Sequence, residues 1–326
     1  MDKRRTSLRP LYDSMPLRST RAFDVNRLLL IAILALLSYS VFYKSRNAPG
    51  ELGLNGVEQS VKDAIVPSSR GSKNGSVGKS KEARYAVMSM NTKCNSYDYV
   101  AVSSKDRYAR KWGYDMLWSW DEPREGGFKY WDKLSMIANA TKATLAGERS
   151  YEWVLMIDYD TLITNTSITL DELVEDSLQQ AEKEGKKRDD IDMIVTPDCF
   201  PLNVGAMIFR TTPWTLNLMK EWRAGKDVKN KDGDSRSEQD VLQDFIKANT
   251  HRTADKSVTV LQWKMNAFPK EIGCYDNRDP IPWKPGMFLV HFAGAWAHVK
   301  EEDPTGVLMR KYYPFIDRAN PHTEDD

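Results

Sequence analysis

The sequence predicts an α/β fold with a mixed central sheet, and three observations carry that expectation. From residue 85 onward, short apolar runs alternate with segments of helical spacing. The later half is Pro- and Gly-rich, with strand-like runs separated by loops. The first 84 residues share neither pattern. With 326 residues, 41% of them hydrophobic, and with 10 Trp and 14 Tyr, the chain has material for one large core plus accessory segments.

YAVMSM at 85–90 reads as a short buried strand, followed by a helical stretch from about 97 to 112. YDMLWSW at 114–120 is the second strand. FKYWDKLSMIANATKATLAG at 128–147 sets Trp131, Leu134, Ile137 and Ala138 at helical spacing, with Gly147 as the stop. YEWVLMI at 151–157 is the third strand, and it runs straight into Asp158 and Asp160. TLDELVEDSLQQAEKEG at 169–185 predicts an exposed helix capped by Thr169 and closed at Gly185. Strands follow at 192–198 and 205–211, then helices over 213–223 and 237–248, with Ser237 or a neighbour as the cap of the second. MFLVHFAG at 287–294 is a last strand ending in a Gly turn. Strand–helix alternation in the first half predicts parallel pairing with helices on both faces. No internal repeat is present.

The amino end sets topology. LLLIAILALLSYSVFY at 28–43 is free of charge and follows Arg27 directly. Twenty-seven residues precede it, no small-x-small cleavage site follows, and no polar residue interrupts it before Ser38. These features predict a transmembrane signal anchor rather than a cleaved signal peptide or a core helix. Lys3, Arg4, Arg5, Arg9, Arg18, Arg21 and Arg27 lie ahead of the run, and only Lys44 and Arg46 just after it. The positive-inside bias therefore makes 1–27 a cytosolic tail and places everything past 43 across the membrane, a single-pass type II arrangement. Residues 44–84, rich in Ser, Gly and Lys, cannot bury a core and read as a flexible stem. Residues 85–326 form the expected lumenal domain. Sequons at Asn74, Asn139 and Asn165 fit that side of the membrane.

Charge divides along the same line. Residues 1–84 hold 15 basic and 7 acidic residues, net +8, and the remainder holds 32 basic and 39 acidic, net −7. An acidic domain behind a membrane excludes nucleic acid as a partner. The basic tail faces anionic lipid. Cys94, Cys199 and Cys274 allow at most one internal disulfide, of unspecified pairing, and none of them is spaced for a thiolate zinc site.

Asp-x-Asp occurs three times, at Asp158/Asp160, Asp190/Asp192 and Asp232/Asp234. Ligands of open α/β sheets bind beyond the carboxyl ends of the strands, and only the first pair stands at such an end. Asp190/Asp192 precede a strand, and Asp232/Asp234 sit in a charged loop. Two carboxylates one residue apart on a bending strand can face one cation, and hard oxygens suit Mg²⁺ or Mn²⁺. Three further stretches offer polar groups at element ends. Asn203 and Gly205 are expected just before a strand, where a small residue admits a ligand. Glu238 and Gln239 open a helix, and His291 ends a strand.

As a set, DRYARKWGYDM (106–116), YWDKLSMI (130–137), EWVLMIDYDTLITN (152–165), LNVGAMIFRTTPW (202–214), SEQDVL (237–242) and LVHFAG (289–294) resemble glycosyltransferase family 34. That family includes fungal Golgi α-mannosyl- and α-galactosyltransferases and plant xyloglucan α-1,6-xylosyltransferases. The resemblance covers roughly 85–300 and implies a GT-A fold and a Golgi location. It implies that Asp158, Asp160 and His291 hold Mn²⁺ on the donor diphosphate, with configuration retained. It further implies that Gln239 stabilises the reacting centre, that Glu238 meets donor or acceptor hydroxyls, that Asn203 and Gly205 line the sugar, and that the strand at 85–91 lies under the base. Plant members carry a Lys shortly after the His-Phe-x-Gly turn, where this chain has Trp296. That departure weakens a xylosyltransferase reading, and the amino tail and short size lean towards the fungal branch, with GDP-mannose or UDP-galactose as donor, a glycan as acceptor, and other Golgi glycosyltransferase subunits as partners. Two rival readings are a non-catalytic subunit of a glycan-synthesising complex, with no need to keep these residues, and a metal-dependent phosphatase, which would want a denser ligand set.

Overall fold

The computed structural model describes residues 83–120, 129–229, 233 and 235–318. The expected cytosolic tail, signal anchor and nearly all of the stem lie outside the described residues, as do Asp232 and Asp234. Among the described residues no helix is long and apolar enough to cross a membrane.

β1 (Tyr85–Asn91), α1 (Asp98–Trp112), β2 (Asp115–Trp120), α2 (Asp132–Leu145) and β3 (Trp153–Ile157) follow in the expected alternation. β1 pairs in parallel with both β2 and β3. After the short β4 (Thr161–Ile163) and α3 (Leu170–Lys183) the sheet turns mixed. β6 (Asn203–Arg210) runs antiparallel to β3 and to β5 (Met193–Thr196). α4 (Pro213–Ala224) and α5 (Glu238–Ala248) come next, and β7 (Ser257–Thr259) adds parallel to β5 at the edge. The resulting order is β2-β1-β3-β6-β5-β7.

Period-two alternation divides the strands between two cores. Tyr85, Val87, Leu155 and Ile157 face α1 and α3, packing with Tyr108, Val174 and Leu178. Ala86, Met88, Val154 and Met156 face the other way, onto Leu134 and Ile137 of α2, Trp222 of α4 and Leu242 of α5. Helices therefore cover both faces, as the alternation predicts. α6 (Gln262–Met265), β8 (Leu289–His291), α7 (Ala295–His298) and α8 (Pro304–Tyr312) complete the chain. A third cluster joins Leu162 of β4, Val290 of β8 and Leu308 and Met309 of α8. β4, β7, α6 and α7 escape periodicity because three or four residues complete no readable period.

Helix ends follow local chemistry. Thr169 Oγ1 accepts from the Glu172 amide at 3.0 Å while Glu172 accepts from the Thr169 amide at 2.7 Å, a reciprocal cap on α3. Ser237 and Asp240 repeat the device on α5.

Cys199 and Cys274 form the one disulfide among the described residues, with Cα atoms 4.8 Å apart, and the Cys94 thiol is exposed and free. The bridge ties the β5–β6 turn to a segment 75 residues later. Replacing both cysteines with serine is expected to cost about 2–5 kcal/mol, measured as the loss of denaturation free energy of the folded domain in non-reducing buffer. A change indistinguishable from zero would mean that the bridge is absent in solution.

Candidate metal centre

β3 ends and the chain turns at Asp158, whose amide donates to the carbonyl of Gly205 in β6 at 2.8 Å. The turn is held from three sides. Thr161 Oγ1 donates back to the Asp158 carbonyl at 2.7 Å. The Phe292 amide donates to the Asp160 carbonyl at 3.0 Å. Beneath it, the Lys105 ammonium donates to the carbonyls of Tyr159 and Thr161 at 3.1 and 2.7 Å. Tyr159, between the acids, is buried against Tyr97, Trp118 and Trp120. Anchoring this middle residue leaves both flanking carboxylates facing the same point.

β4 pairs antiparallel with β8 in a register that sets Thr161 opposite His291. That pairing brings the imidazole to Asp160, with Nε2 3.4 Å from a carboxylate oxygen. One ligand atom each from Asp158, Asp160 and His291 lies within 4.8 Å of the others. The neighbouring acids and a histidine far along the chain thus share one focus.

A chain of hydrogen bonds defines the histidine tautomer. The Gly205 amide can only donate, and it donates to Asn203 Oδ1 at 2.8 Å. Asn203 Oδ1 also accepts from Asn266 Nδ2 at 2.8 Å, so Asn266 must turn its own carbonyl oxygen to His291 Nδ1, 2.9 Å away. Nδ1 therefore carries the proton and Nε2 presents a lone pair to Asp160. Two acceptors 3.4 Å apart need a cation or a proton between them. Two carboxylates and an imidazole fit a divalent ion of Mn²⁺ type.

Asn203 is buried and spends its side chain on Asp198, Gly205 and Asn266. Asn203 and Gly205 also lie inside β6, not ahead of it. A Cβ on Gly205 would lie 2.1 Å from His291 Cε1. The room expected there for a ligand is occupied by the histidine ring.

Lys133, on α2, was not singled out by the sequence reading. Its ammonium is buried and reaches Asp158 at 2.7 Å and Glu238 at 3.2 Å. Burial pulls its pKa down, yet the charges of Asp158 and Glu238 outweigh that and hold it above the ordinary lysine value. Lys105 has no such carboxylate contact, and burial brings it down to about 7 against the pull of Asp160 and Asp158. For Asp160, burial pushes upward, while Lys105 and a His291 ring with a proton at Nε2 hold the carboxyl below the ordinary value. A signal for Lys133 did exist. It stands four residues before Ile137 and eight before Thr141, on the helix face that turns inward.

A cavity of about 290 Å³ opens beside Asp158 and Asp160, walled by Met90, Asn91, Tyr130, Lys133 and Trp296 among others. The carboxyl end of β1 contributes to it, whereas Tyr85, at the opposite end, donates its hydroxyl to Asp171 at 2.7 Å. Glu238 meets this wall only through Lys133. Gln239, half-buried at the start of α5, accepts from the Val204 amide at 3.3 Å and does not line the cavity. Of the other acid pairs, Asp192 is buried in an ion pair with Lys256 at 2.8 Å, which gives it a packing role.

Two curated relatives are fungal. A probable α-1,2-galactosyltransferase, gmh2 of Schizosaccharomyces pombe, is 24% identical over 212 residues, 57% of this chain and 56% of that protein. A probable α-1,6-mannosyltransferase, MNN10 of Saccharomyces cerevisiae, is 27% identical over 147 residues, 38% of this chain and 35% of that one. The chain thus spans about half the length of the first and a third of the second. Among solved structures, a glycosyltransferase involved in glycosylation of the major capsid of PBCV-1 aligns with TM-score 0.49 and 14% identity, over 69% of this chain and 98% of that one. Residues 86–302 match the galactosyl transferase GMA12/MNN10 family, and this chain belongs to that family, glycosyltransferase family 34.

Proposed function

We propose that this protein is a Golgi type II membrane enzyme, a retaining, Mn²⁺-dependent α-glycosyltransferase of GT-A type. It would move mannose or galactose from GDP-mannose or UDP-galactose to a glycan acceptor. The observation that carries the reading is the convergence of Asp158, Asp160 and His291 on one focus at the carboxyl ends of β1 and β3, beside an open cavity.

A divalent ion held there would act as a Lewis acid, neutralising charge on the departing nucleoside diphosphate. The chain's own residues would do the rest. Asp158, Asp160 and the Nε2 lone pair of His291 would bind it, with Asn266 keeping that lone pair free. Lys133, held charged, orients Asp158 and links it to Glu238, which would meet sugar hydroxyls. Gln239, tethered through Val204 to the strand that carries Gly205 and outside the cavity wall in this structure, would have to turn inward to place its side-chain dipole near the anomeric centre. The two halves of the site are thereby held by one strand.

Transfer by the lumenal domain, with each donor offered in turn and products read by mass, tests the reading. Asp160→Ala should lower kcat/KM by at least roughly 10²–10³ and abolish the Mn²⁺ dependence, with the denaturation midpoint little changed. Gln239→Ala should lower kcat by a similar factor with KM for donor nearly constant. Full activity in Asp160→Ala would remove this site from the mechanism. Donor and Mn²⁺ binding without turnover on any acceptor would instead support a non-catalytic subunit.

A further inference from the structure

Two of the three sequons lie in the described residues, and the fold treats them differently. Asn165 is engaged at both ends of its amide, donating to the Gly286 carbonyl at 2.8 Å and accepting from the Ser167 amide at 3.0 Å. Asn139 is exposed on α2, and its side chain makes no hydrogen bond among the described residues. The packing therefore gives no reason for an asparagine, a weak helix former, at position 139. Thr141 does have one, since its buried hydroxyl donates to the Ile137 carbonyl at 2.8 Å.

Asn139 stands on the wall of a groove of about 530 Å³ between α2 and α4. Leu134, Ala138, Leu216 and Met219 line it with apolar surface, and Lys142 and Lys220 stand at the same opening. A pyranose offers what such a groove asks for, an apolar face to lie on aliphatic side chains and hydroxyls to meet the cations at the edge.

We propose that Asn139 carries an N-linked glycan whose first sugars lie in the α2–α4 groove, a proposal that rests on the lumenal placement of this domain. In the transfer, the Asn139 amide nitrogen forms a bond to C1 of an oligosaccharide on a polyisoprenyl diphosphate. The C1–oxygen bond to the diphosphate breaks, the lipid diphosphate leaves, and the nitrogen gives up one proton. The step belongs to the extended chain, before folding buries the Thr141 hydroxyl. Once folded, the exposed side chain leaves the glycan beside its groove.

The full chain is expressed in a eukaryotic secretory host as wild type, Asn139→Gln, Asn165→Gln and Asn74→Gln, and treated with peptide-N-glycosidase. Wild type is expected to gain mobility on digestion, and Asn139→Gln alone among the two folded-domain variants to lose one step of that gain. Glycopeptide mass mapping should place the sugar on Asn139. Release from Asn139 should also be at least about tenfold slower from native than from denatured protein, as a seated glycan requires; equal rates would overturn the seating. A digestion shift unchanged by Asn139→Gln, in a domain that sealed microsomes protect from added protease, would overturn the site and leave the lumenal reading standing. A domain that protease destroys in sealed microsomes, with no shift in any variant, would overturn the lumenal reading and the glycan with it.

Discussion

Gly205→Ala is expected to remove most of the Mn²⁺ affinity proposed for this protein without replacing any of the three proposed ligands. The added Cβ would lie 2.1 Å from His291 Cε1, 2.7 Å from Nδ1 and 2.9 Å from Asn203 Oδ1. None of these atoms is the free end of a flexible side chain. The imidazole is buried, packed edge-on against Phe268 and bonded to Asn266. If the ring swings away, Nε2 leaves the focus and the Asn266 bond breaks. If β6 retreats, the amide of Asp158 loses the Gly205 carbonyl, and the acid pair moves. Either route takes at least one ligand out of place. Overpacking typically costs about 1–3 kcal/mol, and the lost hydrogen bond adds about 0.5–1.5 kcal/mol. Calorimetric titration with Mn²⁺ should find affinity reduced as far as in His291→Ala. The double variant should be no worse than either single, because both act through the same ring. Affinity within twofold of wild type would show that the packing absorbs the added Cβ without displacing any of the three proposed ligands.

Lys133→Met should be the most destabilising single exchange near the site. It strands two carboxylates on a buried ammonium: Glu238, whose side chain is 9% exposed, and Asp158, 32% exposed. Removing one partner of a buried pair costs about 3–5 kcal/mol. Most of that falls on Glu238, since solvent screens the more open Asp158. The sign with pH follows from the raised Lys133 pKa. Its stabilising contribution is fully present below the ordinary lysine value and is lost only as pH climbs through the higher folded-state value. Urea denaturation of metal-free protein across pH checks this slope. Adding Glu238→Gln should recover a large part of the loss. A deficit under about 1 kcal/mol, the scale of an exposed ion pair, would mean the triad is open to water.

Much of this architecture was legible in the chain because it rests on local rules. The strands at 85–90 and 151–157 are apolar runs of a length no helix would keep, and Thr169 and Ser237 carry caps within three residues of their partners. Asp158 and Asp160 were picked out from two other acid pairs by position alone, and the fold gives Asp192 to a buried ion pair with Lys256. Lys133 and Asn266 were missed for the opposite reason. Each acts through partners 25 to 105 residues away, Lys133 on Asp158 and Glu238, and Asn266 on Asn203 and His291.

Sequence by itself determined most of the longer strands and helices, and which acids end a strand, because periodicity, caps and turn residues act over a few positions. It also marked Gly205 as a place of close approach, expected there for a ligand. Only the tertiary structure decided what comes close. The three-residue pairing of β4 with β8 has no local signature, yet its register carries His291 to Asp160, and the ring then needs the space of a missing Cβ. Hydrogen bonds between distant strands select one register out of several, and that selection is a property of the packed whole.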